Sequence, residues 1–247
     1  MAKEPRPGQV KTRLIPAIGA AAAAGLYRAF LQDVLDEMAL VPRAERVLAI
    51  HPAAARPWFA ELGGERWSIA LQRGETLPDR MIGVFDELFR GGATAVVMRN
   101  SDSPTLPAAR VTAALALLER GADLVLGPDH GGGYCLVGLR APRPDLFRGV
   151  AMSTASVLEE TLRRARLFKL RVELQPEWLD VDTPDDLAEL RRELKPGSTL
   201  ERASCDRTTA FLAGIATLRD LGRQTFPSPA AARADEAGEP PAPRAVS

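Results

Sequence analysis

Met1-Ala-Lys-Glu-Pro-Arg-Pro-Gly-Gln-Val-Lys-Thr-Arg-Leu14 opens the chain. Lys3, Arg6, Lys11 and Arg13 crowd four cations into one short run, and Pro5, Pro7 and Gly8 interrupt regular structure and let the backbone turn tightly. A cationic loop of this shape, leading into a helix, is suited to gripping a diphosphate. A basic N-terminal arm without fixed structure has the same composition. Two acidic stretches further along favour the loop: Asn100-Ser-Asp-Ser-Pro104 and Asp180-Val-Asp-Thr-Pro184.

Outward from this loop, apolar runs suited to strands alternate with helical patterns. Ala17 to Leu40 reads as a helix, with Leu26, Phe30, Leu31, Val34, Leu35 and Met38 on one face. Strands are expected at Val47–Ile50, Trp67–Leu71, Ala95–Met98, Leu124–Leu126, Tyr134–Leu139 and Leu170–Leu174. Between them, helices are expected at Leu77–Phe89, Pro107–Glu119, Ser153–Arg166 and Thr183–Leu194. Ser153 or Thr154 is the expected cap of the third of these, and Thr183 or Asp182 of the fourth. The alternation argues for an α/β fold, an open and mostly parallel sheet covered by helices.

The chain has 247 residues, enough for one well-buried α/β domain with a short appendage. Residues 1–196 are expected to form that domain, 197–226 a helical extension running from Glu201 to Leu221, and 227–247 a Pro/Ala-rich disordered tail. Lys plus Arg and Asp plus Glu balance at 32 each, so no global field draws in nucleic acid. No run approaches the length of a membrane span and no signal peptide is evident, so a cytoplasmic location is expected. Cys135 and Cys205 are too few and too far apart for a disulfide framework or zinc cluster, and read as buried or idle thiols.

In such a sheet, ligands bind where strands end in loops. Asp102 follows the strand Ala95–Met98 and is placed to coordinate Mg²⁺ or Mn²⁺. The alternative is that Asp102 and Ser103 only turn the chain towards the helix at Pro107. Of Asp180 and Asp182, one is expected to face the site, and Asp182 is also placed to cap the helix that follows.

Lys-Glu-Pro-Arg-Pro-Gly-Gln-Val-Lys-Thr-Arg-Leu, Ser-Asp-Ser-Pro-Thr-Leu-Pro, Gly-Gly-Tyr with Leu-Val-Gly-Leu, Ser-Thr followed by Val-Leu, and Asp-Val-Asp-Thr-Pro-Asp-Asp-Leu occur in this order. Together they resemble the bacterial GT-A-like transferases of the radical-SAM/selenodomain-associated type. These are relatives of nucleotide-diphospho-sugar glycosyltransferases and of molybdenum-cofactor and phospholactate nucleotidyltransferases. The resemblance covers Ala2 to Leu194. It implies a single Rossmann-like GT-A domain that binds a nucleotide-sugar or nucleoside triphosphate through Mg²⁺ or Mn²⁺ and transfers to a small-molecule acceptor. Glycosyl transfer is favoured over nucleotidyl transfer, and a non-catalytic nucleotide-binding relative is the third reading. It further implies that Gly8, Lys11 and Arg13 bind phosphate and that Gln72, Gly74 and Arg80 belong to the nucleotide block. Asp102 and Asp182 become metal ligands and catalytic residues, with Tyr134 on the acceptor side.

The family pattern has an Asp where this chain has Gly131, in Asp129-His-Gly-Gly-Gly-Tyr134. Asp129 stands two residues early and substitutes if the loop bends back, and His130 is an alternative base or ligand. Relatives also carry an apolar strand before the Ala-Lys-X-Pro loop, where this chain shows Met1 and Ala2. A truncated first strand, with a loosely packed sheet centre, is therefore expected.

Overall fold

The computed structural model describes residues 1–152, 154–195 and 202–215. Three parallel strands form one part of the sheet: β1 (Ala2–Lys3), β2 (Val47–His51) and β3 (Ser68–Leu71), in the order β1-β2-β3. The other part has the order β4-β6-β5-β7, from β4 (Val96–Arg99), β5 (Leu124–Pro128), β6 (Tyr134–Leu139) and β7 (Val172–Leu174). β6 runs antiparallel to both β4 and β5, while β7 is parallel to β5. The Met1 amino group donates to Arg99 O at 2.6 Å, which sets β1 beside β4 and joins the two parts. β1 is a two-residue strand at the middle of the sheet, short as the sequence suggests. Its amide at Lys3 donates to the Tyr27 hydroxyl at 3.1 Å, so a side chain satisfies this backbone donor.

Helices cover both faces. α1 (Ile15–Ile18) and α2 (Ala20–Met38) occupy the segment read as one helix. The break is Gly19, whose φ of 79° is readily reached only without a Cβ. All six residues of the α2 apolar face are buried. α3 (Arg56–Gly63), which the sequence reading did not include, packs Phe59 into the same core. α4 (Leu77–Arg90) begins at a reciprocal capping box between Thr76 and Asp79, and α7 (Pro184–Glu193) at another between Thr183 and Asp186. α5 (Ala108–Glu119) starts one residue after Pro107. α6 (Val157–Leu167) starts later than expected, with Ser156 at its cap position and no side-chain cap, so Thr154 does not cap it. Ser153 lies outside the described residues. On the α4 face, Phe85 and Phe147 stack at 5.8 Å over Val96, Met98 and Leu126. Each fully buried aromatic there contributes about 1.5–3 kcal/mol of transfer free energy.

The expected C-terminal helix is observed as α8 (Asp206–Gly214), later than expected because residues 202–205 are not helical; residues 201 and 216–221, and the tail at 227–247, lie outside the described residues. α8 lies across α2. Its first amides, on Arg207 and Thr208, donate to the two oxygens of buried Asp33 at 3.1 and 2.8 Å. Phe211 sits where a Cβ on Gly25 would approach its ring to 2.7 Å, so a larger residue at Gly25 would have to displace that ring. Cys135 and Cys205 are buried free thiols. Among the described residues no helix is long and apolar enough to cross a membrane.

Candidate functional site

The carboxyl ends of the strands open into one cavity of about 600 Å³. Lys3 ends β1, His51 ends β2 and Gln72 follows β3; Asn100–Asp102 follow β4, and Asp129–Tyr134 turn between β5 and β6. Asp180 and Asp182 close the far side, and Arg13 and Arg80 reach in from the first loop and from α4. This volume is in the range that holds a small organic ligand.

One wall is acidic. Asp180 accepts from Asn100 Nδ2 at 3.1 Å and from Ser103 Oγ at 3.3 Å. Asp102 and Asp182 both bind the Lys11 ammonium, the latter at 3.1 Å, and Arg13 Nη1 lies 3.3 Å from the other Asp182 oxygen. Burial, reinforced by the charge of Asp102, raises the Asp180 pKa from 3.8 to about 7. Asp180 and Asp182 both line the cavity, whereas only one was expected to. Residues two apart in an extended segment share a face, and the residue between them, Val181, is the one buried in the core.

Arg99 fixes the loop that carries Asp102. Its guanidinium is buried and donates from Nε to Asn100 O at 3.0 Å, from Nη1 to Leu106 O at 3.3 Å and from Nη2 to Ser103 O at 2.5 Å. Burial lowers its pKa to about 10. Ser101 in the same loop meets the Tyr27 hydroxyl at 2.6 Å, and Val181 N donates to Asp102 O at 3.0 Å.

Another part of the lining is cationic. Lys3 Nζ donates to Gln9 O at 2.8 Å; Arg80 donates from Nε to Gly74 O at 3.0 Å and from Nη2 to Glu75 O at 3.2 Å, leaving Nη1 without an acceptor among the described residues. Among the described residues neither cation has a carboxylate partner. Burial, then the charges of Arg80 and Lys3, lower the pKa of His51, which also lines the cavity. Gln72 spends its amide N–H groups on Ala2 O at 3.0 Å and Ala49 O at 2.8 Å, which leaves its carbonyl oxygen as an acceptor.

Of the residues the sequence singled out, Arg13, Gln72, Arg80, Asp102, Tyr134 and Asp182 line the cavity. Gly8 and Gly74 do not; they shape loops, at φ of 78° and 125°. Lys11 does not line it either, and its side chain is only 2% exposed. The expected phosphate grip by Lys11 is therefore corrected: its ammonium donates to Val181 O at 2.6 Å, to Asp182 and to Asp102, and no donor is left. Tyr134 is partly buried with its hydroxyl 3.8 Å from Met152 Sδ, and burial raises its pKa to about 12. Asp129 does bend back, but onto its own loop: Oδ1 accepts from Gly131 N and Gly133 N, both at 2.8 Å. His130 is exposed at the cavity rim. Asn100, Ser103 and His51 join the site without having been singled out for it, whereas Asp180 and Lys3 were named only as members of the acidic block and of the cationic loop. Their sequence signal was position, each at or just after a strand's carboxyl end or next to an acidic block.

Mg²⁺ or Mn²⁺ between Asp102 and Asp182 does not fit this arrangement, because the Lys11 ammonium already lies between the two carboxylates. Among the described residues no three His, Cys, Asp or Glu side chains are grouped to hold a metal ion.

A solved protein from Desulfovibrio desulfuricans G20, described provisionally as a nucleotide-diphospho-sugar transferase, is 35% identical, with 89% of this chain and 95% of that chain covered at a TM-score of 0.79. The fold is thus a Rossmann-like GT-A domain. Residues 34–154 match the family described as "Uncharacterized protein conserved in bacteria (DUF2064)", and the chain belongs to that family. A cytidylyltransferase from Leptospira borgpetersenii serovar Hardjo-bovis is 13% identical, covering 81% of this chain and 88% of its own at a TM-score of 0.48. Molybdopterin-guanine dinucleotide biosynthesis protein A from Archaeoglobus fulgidus is 12% identical, covering 67% and 86% at 0.47. No curated protein matches.

Proposed function

We propose that this protein is a transferase that uses a nucleotide-activated donor, in the first instance a nucleotide-diphospho-sugar, and a small hydroxyl-bearing acceptor. The observation that carries the reading is the mixed lining of the cavity: Lys3 and Arg80, which meet no carboxylate among the described residues, and the carboxylates Asp102, Asp180 and Asp182 border one space of ligand size. The likeness to the Desulfovibrio protein supports the choice of donor.

In this reading the base lies over Gln72 and the diphosphate is held by Lys3, Arg13 and Arg80. The acceptor lies between Tyr134 and the carboxylate wall. Its hydroxyl oxygen bonds to sugar C1 as the C1–O bond to the diphosphate breaks. The nucleoside diphosphate leaves with the electron pair, and the hydroxyl proton passes to Asp180, whose pKa of about 7 suits it to accept and release a proton near neutrality. The cationic wall stabilises the charge that develops on the leaving diphosphate. Metal participation from a nucleotide-bound ion is compatible with this scheme but supplies none of its steps.

The test is a turnover screen of UDP-, GDP-, CDP- and dTDP-sugars and free nucleoside triphosphates against hydroxyl acceptors, followed by phosphorus NMR. Release of a nucleoside diphosphate from one donor is the expected result. Pyrophosphate release from a triphosphate would replace glycosyl with nucleotidyl transfer, and tight binding without turnover of any donor would make this a binding protein.

A further inference from the structure

We propose that Lys11 is the resident cation of the acidic wall: its ammonium holds the position between Asp102 and Asp182, and a divalent ion enters there only when Lys11 is gone. The inference stands on the site's geometry and does not depend on which reaction the cavity performs.

Lys11 is placed by its backbone. It sits in the left-handed region at φ 47° and ψ 42°, and its carbonyl accepts from Leu14 N at 2.9 Å, which anchors the end of the first loop on the turn before α1. From there its aliphatic stem enters the core. The ammonium lies 6.0 and 5.8 Å from the ring centroids of Tyr27 and Phe30, within reach of the attraction of a cation for an aromatic face. An ammonium has three N–H donors, and here all three are spent: on Val181 O, on Asp182 Oδ1 and on Asp102 Oδ1. Burial alone would lower its pKa, but the charges of Asp102, then Asp182 and Asp180, outweigh this and raise it, so the group stays charged.

The same two oxygens are the ones a metal between these residues would use. Mg²⁺ needs carboxylate oxygens at about 2.0–2.1 Å in a near-octahedral shell. With the ammonium in hydrogen-bond contact with both, that shell has no room, and two cations at one point repel strongly in a partly desolvated site. Ammonium and metal therefore exclude one another.

Manganese binding to the free, full-length protein tests this without reference to turnover. Mn²⁺ is titrated into wild type, Lys11→Met and the double variant Lys11→Met with Asp102→Asn, and free Mn²⁺ is read by electron paramagnetic resonance. Lys11→Met should gain one Mn²⁺ per chain with affinity at least about tenfold above wild type, and the double variant should lose that gain. Two results would overturn the proposal: wild type binding Mn²⁺ as tightly as Lys11→Met through Asp102, or folded Lys11→Met showing no gain. If circular dichroism shows Lys11→Met unfolded, paramagnetic broadening in wild type decides. The amides of Asp102 and Asp182 should stay sharp, and their selective broadening by Mn²⁺ would refute the resident-cation role.

Discussion

The two walls of the cavity use charge in opposite ways. On the acidic wall the cation is built in: Lys11 is buried and shared among Asp102, Asp182 and a backbone carbonyl. On the cationic wall Lys3 and Arg80 hydrogen-bond only to backbone carbonyls and meet no carboxylate among the described residues. The same formal charge thus has two functions, set by burial and partners. A lysine whose donors are all used organises the protein, and one with donors to spare is available to a ligand. Counting cations in the first loop could not make that distinction.

The largest effect is expected from breaking the paired side. Lys11→Ala leaves two carboxylates facing each other beside Asp180 and should lower unfolding free energy by about 2–4 kcal/mol, somewhat reduced because Asp102 and Asp182 are partly exposed. Urea denaturation measures it. Lys3→Ala and Arg80→Ala should each stay within about 0.5 kcal/mol of wild type in the same assay. Equal losses on both walls would erase the contrast.

Asp180 sharpens the picture through pH. Its folded pKa is raised, so the native state holds this proton more tightly than the unfolded chain does. Stability from this group is therefore present at low pH and lost as pH rises from about 4 through about 7. Asp180→Asn, permanently neutral, should match wild type near pH 4 and exceed it by about 1–3 kcal/mol at pH 8. Thermal melts across that range would expose a flat difference if Asp180 were ordinarily ionised.

Ligand binding probes the unpaired side. Replacing Lys3 and Arg80 together by Gln should weaken a nucleoside diphosphate about tenfold or more while leaving the parent nucleoside unchanged, since only charge-assisted phosphate contacts are lost. Calorimetry with both ligands separates this from general damage. The smallest effect is that of salt. Raising ionic strength from about 0.05 to about 0.5 M should weaken the diphosphate a few-fold yet barely move the melting temperature, because screening reaches the exposed cations and not the buried pair.

Local pattern carried much of the fold. Period-3.6 apolar residues marked α2, and Thr183 before Pro184, one of two expected caps, heads α7 in a capping box; the Thr76 box of α4 was not read. Gly19 split the first helix because a residue with positive φ cannot sit inside one, a detail that hydrophobic spacing does not encode. α3 was missed although Trp58, Phe59 and Leu62 have helical spacing, since its eight residues are few and end on Gly63, with Gly64 directly after. The antiparallel entry of β6 follows from the short glycine turn after β5, which can join only neighbouring antiparallel strands. At the site, the acidic blocks and Arg13, Gln72 and Arg80 were legible as ligand-facing positions. The role of Lys11 was not, because its carboxylate partners lie far along the chain, Asp182 at a separation of 171 residues. Only folding brings them within hydrogen-bonding distance.

The segment before α8 gives the C-terminal region a second function. Ala203 N donates to Thr105 O at 2.9 Å, in the loop that Arg99 ties and that carries Asp102, while Thr208 N is held by Asp33 on α2. These two amides read out different things in hydrogen exchange. Thr208 reports how firmly α8 is docked, and Ala203 reports how often the Asn100–Leu106 loop opens. Protection of Ala203 that rises on adding a ligand, with Thr208 unchanged, would locate the ligand's grip on that loop from a probe outside the cavity.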